Sequence, residues 1–215
     1  KAGFMQRSIE VFLEAIKISP KNIDALSHLG LGFEKLRLHD KSLEVLDALQ
    51  EQGVDVAQEI AYTKALKLKN SQMEFEQKVA KMAKFANDFK LVSRMILELF
   101  IINGKDVNLI NIKPDLAHCL DILYLNDAVL DGDEYKELYS AKGQNQTQIN
   151  NFELKLLKTA KQNKINATLS FSYVCSKCKG TYPLFFYRCN HCARLGSCVI
   201  IPNLIKENDE ECISF

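Results

Sequence analysis

Four of the seven cysteines form two Cys-x-x-Cys pairs, Cys175 with Cys178 and Cys189 with Cys192. Thiolates are soft anionic ligands suited to zinc and iron. At this spacing one tight turn can aim two sulfurs at a single ion while its backbone N–H groups point at them. The flanking residues repeat as well, Tyr173-Val-Cys175-Ser-Lys-Cys178 being echoed by Tyr187-Arg-Cys189-Asn-His-Cys192. Ten residues separate the two pairs, enough for a hairpin to bring one turn opposite the other. The predicted product is a closed tetrahedron with ligands at roughly 2.3 Å and no position left for water or substrate, a structural site and not a catalytic one. Zinc is the first choice because it binds four thiolates without redox consequences; iron is possible in the same tetrahedron. Two independent redox dithiols would use the same residues, but no flanking βαβ pattern supports them.

Other chemistry-bearing residues near the pairs have simpler readings. His191, inside the second turn, reads as a surface residue. Cys198 reads as a small buried apolar residue, with replacement of a ligand as its alternative. Cys119, at helical spacing with Leu116 and Leu123, reads as core, and Cys212 lies in an acidic tail with no evident role. Lys177, Lys179, Arg188 and Arg194 can offset the double negative charge of a divalent ion with four thiolates. The stretch from Lys164 to Lys206 contains no acidic residue and interleaves Tyr and Phe, a pattern shared with zinc ribbons that bind nucleic acid. Nucleic-acid binding is therefore one alternative function, and a redox- or metal-sensing interaction module is another. No Gly-rich phosphate loop and no nucleophile with its base is recognisable, and Glu98, Asp121 and Asp133 read as helix surface or caps, so no enzymatic activity is expected.

About fifty residues at the C-terminus make too small a core to fold securely alone, and metal binding worth on the order of 10 kcal/mol can supply the difference. The rest of the chain must then hold this module in place. Its 215 residues are 47% hydrophobic and 26% charged with a net charge of +1, so bulk electrostatics selects no polyanionic partner. The apolar runs fall short of the roughly 20 residues needed to span a bilayer. Paired Cys-x-x-Cys spacings in a helical chain point to a reducing, cytoplasmic compartment.

A repeat organises the first part of the chain. Stepping by the tetratricopeptide period of about 34 residues, Gly3, Ser8, Phe12, Ala15 and Pro20 fall where that repeat wants a turn residue, small residues, an aromatic and a helix stop. Leu26, Leu29, Gly30, Phe33, Ser42 and Leu46 fill the next register, with Asn22 and Asp24 opening its first helix and Gly53 past the end of its second. Lys1 enters after the leading helix of its repeat, so a truncated array with repeats upstream is expected. Further helices are predicted over Val56–Leu68, over Gln72–Ala86, from a cap at Asp88 to Asn103-Gly104, after Pro114, from an Asp131 cap over Glu134–Tyr139, and over Ile149–Lys161 with Phe152, Leu156 and Ala160 facing in. Gly143–Gln148 reads as a polar linker. Thr168–Val174, Pro183–Tyr187 and Cys198–Ile201 read as strands. The expected fold is thus mostly α: a tetratricopeptide-type solenoid of antiparallel helix pairs over 1–163, a small β-rich rubredoxin-like or zinc-ribbon module over 164–206, and an acidic disordered tail over 207–215.

The repeats and the paired cysteines together resemble the C-terminal part of the LapB (YciM) family, bacterial proteins that join a tetratricopeptide array to a terminal rubredoxin-like module. The likeness is strongest from Tyr173 to Leu204, through the ten-residue spacer, the segment Leu184-Phe-Phe-Tyr-Arg-Cys189 and the short strand ending at Pro202. It implies Cys175, Cys178, Cys189 and Cys192 as ligands. Departures include Lys179, where a Gly usually follows the second ligand, and Asn190 in place of a common Pro. The resemblance also implies a non-enzymatic adaptor at the cytoplasmic face of the bacterial inner membrane, anchored by a segment not in this sequence. That family regulates lipopolysaccharide synthesis by linking the deacetylase LpxC, a lipid A biosynthetic enzyme, to the membrane protease FtsH.

Overall fold

Short connections follow each early helix, and a chain that reverses after so few residues lays successive helices side by side. The computed structural model describes residues 2–144 and 147–206, with side chains from Phe4 onward. It divides into two compact units, Lys1–Ile96 and Leu97–Phe215. The acidic tail expected over 207–215, with Cys212, lies outside the described residues.

The first unit holds α1 (Ala2–Ile18), α2 (Ile23–Lys35), α3 (His39–Glu51), α4 (Ala57–Lys69) and α5 (Phe75–Ala83), each packed on the next. Asn22 caps α2 through a 3.0 Å bond from the Ala25 N–H to its side chain. Gly53, at φ +79°, ends α3 by letting the Val54 N–H reach back to the Leu49 carbonyl at 3.1 Å. Leu26, Leu29, Gly30, Phe33, Ser42 and Leu46 are all buried, and the Ser42 hydroxyl donates to the Gly30 carbonyl at 3.0 Å. Helices α1 and α2 approach closely at Gly32, where an added Cβ would stand 2.9 Å from Cγ1 of Ile9. Gly30 has ordinary room, 3.7 Å to Val45. In α1, Gly3 lies inside the helix and not in a turn, and Ser8 is exposed with its hydroxyl bonded back to the Phe4 carbonyl.

Helix α6 (Leu91–Ile102) contributes to both units. It starts three residues after the expected Asp88 cap: the carbonyls of Phe89 and Lys90 receive the Val92 and Ser93 N–H groups there. Its end is as expected, with Gly104 at φ +60° and Lys105 N–H bonded to the Phe100 carbonyl. The second unit continues through 3₁₀ turns at Val107–Leu109, Leu116–His118 and Asp133–Tyr135, with the short helices α7 (Leu120–Leu125) and α8 (Lys136–Ala141), to α9 (Phe152–Gln162). Asp131 does not cap; its own N–H is held by the Asn108 side chain at 2.8 Å. Asn151 caps α9 instead of a start at Ile149, with Leu154, Leu157 and Ala160 inward, Phe152 66% exposed and Leu156 39% exposed. Both stripes satisfy helical spacing, and the one that meets α8 and the sheet is buried.

A three-stranded antiparallel sheet closes the chain, with β1 (Ala167–Cys175) between β2 (Thr181–Tyr182) and β3 (Cys198–Lys206). Pro183–Tyr187 is not a strand: Pro183 has no N–H to extend β2, and the aromatics that follow turn inward, Phe186 against Tyr182 and Phe185 against Tyr173. The β1–β3 register runs from Ala167 opposite Lys206 to Cys175 opposite Cys198. Its parity follows from two bonds made away from β3, Cys175 N–H to the Gly180 carbonyl at 2.9 Å and Leu169 N–H to the Tyr124 hydroxyl at 3.2 Å. Odd-numbered β1 residues are therefore the non-hydrogen-bonded partners of β3. Pro202, opposite Phe171, turns its missing N–H outward, the place where an edge strand tolerates proline.

Helix α7 fixes the sheet that carries the cysteines. Tyr124 bonds Thr168 Oγ1 at 2.9 Å as well as Leu169 N–H, and Tyr173 donates its hydroxyl to Asp121 at 2.9 Å. Asp121, expected on a helix surface, is buried, because α7 turns that face toward β1. The almost buried Lys142 ammonium caps the C-terminal end of α7, donating to the Tyr124 carbonyl at 3.1 Å and to Asp127 at 2.6 Å.

Candidate metal centre

Each cysteine pair sits in a turn built from the same bonds. In the first, Cys175 N–H donates to the Gly180 carbonyl and Lys179 N–H to the Cys175 carbonyl, both at 2.9 Å; in the second, Cys189 N–H donates to Arg194 and Ala193 N–H to Cys189, both at 3.0 Å. The residue after the second cysteine is left-handed in both turns, Lys179 at φ +63° and Ala193 at φ +58°. That is the physical reason a glycine suits this position. The Arg188–Leu195 bridge of the second half stands where Val174 pairs with Thr181 in the first. The sequence repeat is thus a structural repeat of two knuckles facing each other.

The four sulfurs of Cys175, Cys178, Cys189 and Cys192 lie within 4.8 Å of one another. The Cys175–Cys192 and Cys178–Cys189 pairs across the knuckles are both 3.6 Å apart. A disulfide needs about 2.05 Å, whereas a tetrahedron of ligands about 2.3 Å from its centre has edges of about 3.75 Å. The cluster can hold a metal ion, and its spacing fits one with four thiolates. Cys175 and Cys189 are buried, while Cys178 and Cys192 are half-buried.

The turns are wired to receive thiolates. For Cys175, burial is the largest influence and pushes the thiol up. The N–H of Cys178, the Ser197 hydroxyl at 3.2 Å and the N–H of Lys177 together outweigh it and bring it down to about 6. Cys189 is lowered as well: burial opposes, but the N–H groups of Cys192 and His191 and the Tyr182 hydroxyl at 3.2 Å prevail. At Cys178 the Gly180 N–H favours the thiolate, but burial and hydrogen bonds with the other three sulfurs win, pushing it up to about 11. The knuckle donors thus favour the charged form at Cys175 and Cys189, while the crowding of sulfurs disfavours it at Cys178; a divalent ion would let all four bind as thiolates.

The surroundings divide the remaining residues cleanly. His191 is exposed and outside the tetrad, and Cys119 is fully buried with its thiol directed at the Asp115 carbonyl at 3.4 Å, as core. Cys198 is buried beside the tetrad and is not one of its four members. Lys177, Lys179 and Arg194 are exposed around the knuckles, whereas Arg188 braces the second one through a 2.9 Å bond to the Ala193 carbonyl. Within the connection between the knuckles, Phe185 and Tyr187 pack edge-on with ring centroids 5.2 Å apart. Two functional contacts escaped the sequence reading, the hydroxyls of Ser197 and Tyr182. Neither has a counterpart in the internal repeat, so spacing could not have found them. No family model matches the chain, and no curated protein matches it.

Proposed function

We propose that the chain is a protein-binding adaptor with a tetratricopeptide-type helical platform and a structural zinc site held by Cys175, Cys178, Cys189 and Cys192. The observation that carries this reading is the pair of equivalent knuckles with sulfur edges of 3.6 Å, whose four ligands leave no coordination position for substrate. Zinc is preferred over iron because four thiolates satisfy it with no redox partner in view. Bound there, the ion supplies folding free energy to a module with a small core of its own. On this reading the residues do structural work: the knuckle N–H groups orient the sulfurs, and Tyr173 and Tyr124 tie the module to α7.

The platform's offer to partners is supported by an open groove of about 460 Å³ in the first unit, floored by Ile9, Leu13, Phe33, Leu36, Leu38 and Val45. By resemblance to the LapB family, the partners are a membrane protease and a lipid A biosynthetic enzyme at the cytoplasmic face of a bacterial inner membrane. Among the described residues no helix is long and apolar enough to cross a membrane. Elemental analysis of purified protein tests the site: about one zinc per chain is expected, and neither zinc nor iron would refute it. Affinity capture with the intact protein from its own cells, at low and high salt, tests the adaptor role. Retention of proteins at high salt supports it. A second reading, nucleic-acid binding, is favoured by exposed Lys177, Lys179 and Arg194 in a module without acidic residues; it predicts steeply salt-dependent binding of RNA or DNA.

A further inference from the structure

A fifth cysteine stands against the metal centre with a geometry of its own. Cys198 is directly opposite Cys175 across the β1–β3 pair, both are buried, and both belong to one packed cluster with Tyr173, Phe186 and Ile200. Because Cys175 spends its N–H and carbonyl on Gly180 and Lys179, on the side away from β3, the Cys175–Cys198 pair is non-hydrogen-bonded. Such pairs have Cα atoms about 4.5 Å apart and side chains on the same face. A disulfide requires Cα atoms about 4.4–6.8 Å apart. This is the position in an antiparallel sheet where a cross-strand bridge fits, and it joins a ligand of the tetrad to a cysteine outside it.

We propose that Cys198 is the resolving thiol of an oxidation site at this centre, closing on Cys175 as a disulfide when the centre meets a peroxide and so removing one ligand from the tetrad. The inference rests on reading the four cysteines as metal ligands. The Cys175 thiolate attacks one peroxide oxygen, the O–O bond breaks, and the departing hydroxide takes a proton from solvent to become water. The Cys198 thiol then attacks the sulfenic sulfur, and its proton leaves with the displaced hydroxyl as a second water. Two thiol sulfurs are oxidised by two electrons and one peroxide is reduced. The three remaining ligands, Cys178, Cys189 and Cys192, hold zinc more weakly than four. The bridge is reversible by thiols, whereas a sulfenic acid with no resolving partner proceeds to sulfinic acid and does not return.

Trypsin cleavage after Lys164, Lys177, Arg194 and Lys206 leaves Cys175 and Cys198 on separate peptides, 165–177 and 195–206, each carrying no other cysteine. The experiment treats the zinc-loaded full chain with hydrogen peroxide and follows zinc release with a chromogenic chelator, disulfides by mass spectrometry of the unreduced digest, and zinc rebinding after reduction. The linked 165–177/195–206 peptide is expected to grow in step with zinc release, and reduction should restore most of the zinc. In Cys198→Ala the link is lost, Cys175 is found as sulfinic acid on 165–177 or bridged to Cys192, whose sulfur lies 3.6 Å away, and zinc recovery falls below that of wild type. Cys198→Ser, which keeps the side-chain volume, should behave as Cys198→Ala does. Bridges confined to the four ligands in wild type, or full recovery in both variants, would overturn the proposal. Zinc content before peroxide reads the metal site separately: a chain that takes up no metal refutes that site, while a loaded chain that forms no 175–198 link refutes only the resolving role.

Discussion

The Tyr173 hydroxyl donates to Oδ2 of Asp121 at 2.9 Å, and both residues are buried. Tyr173 lies two residues before the ligand Cys175 and Asp121 on helix α7, so this bond ties the metal module to a helix that precedes it by some fifty positions in the chain. Hydrogen bonds to charged groups contribute about 1.5–3 kcal/mol. Tyr173→Phe keeps the ring and its edge contact with Phe185 but removes the bond. A stability loss of about 1.5–3 kcal/mol in urea is expected for the zinc-loaded variant, with zinc content unchanged. A loss under about 0.5 kcal/mol would show that the bond is not a structural tie.

The two left-handed knuckle positions make a second prediction. A side chain in that region costs about 1–2 kcal/mol, and glycine gives back about 0.5–1 kcal/mol through the greater freedom of the unfolded chain. Lys179→Gly and Ala193→Gly should therefore each stabilise the zinc-loaded protein by up to about 1 kcal/mol, read as an increase in Tm. Lys179→Pro, which forbids a positive φ and deletes the N–H bonded to the Cys175 carbonyl, should abolish metal binding. Equal Tm values for the glycine variants and wild type would mean that the turns carry no such strain.

What the sequence revealed and what it hid follow from how local each cause is. Cys-x-x-Cys spacing is a property of one turn, so all four sulfurs are legible as a cluster, and Leu29, Phe33 and Ser42, singled out by helical spacing, are buried. The inward face of α9 is not legible because Phe152/Leu156 and Leu154/Leu157 both keep helical spacing, and packing against α8 and the sheet decides between them. Pro183–Tyr187 has the composition of a strand, but Pro183 has no N–H to donate and the pairing of β2 with β1 stops at Tyr182. Asp121, Tyr182 and Ser197 matter through contacts with residues distant in sequence or placed by the knuckle fold, and no periodicity encodes those.

His39 supplies a pH dependence. Burial holds its imidazole below the ordinary value; Glu34 and Asp40 pull it up, and Arg37 and Lys67 push it down. Its Nδ1 is buried with no hydrogen-bond partner, and it stands at the start of α3, where the helix dipole disfavours a cation. The fold therefore prefers the neutral ring, and the unfolded chain takes up the proton first. Its contribution is complete above about pH 6.5 and is lost as the pH falls through the lower folded value. The urea midpoint of wild type should fall between pH 7 and pH 5 by more than that of His39→Gln. Parallel profiles would remove His39 as the cause.

Strand β3 runs nine residues along the sheet edge with no charged residue before Lys206, and Val199, Ile201, Leu204 and Ile205 are exposed. Long apolar edges recruit further strands unless something interrupts them. The parity set by Cys175 and Leu169 turns the backbone nitrogen of Pro202 outward, so its ring breaks the row of donors in mid-edge without removing a bond to β1. Pro202→Thr restores that donor. Its cost to the monomer is limited to the freedom gained by the unfolded chain, about 0.4–1 kcal/mol. The variant should bind zinc as wild type does but associate with rising concentration, seen as a growing sedimentation coefficient. If it instead stayed monodisperse and lost about 2 kcal/mol or more, Pro202 would be acting through its packing against β1 and not by interrupting the edge.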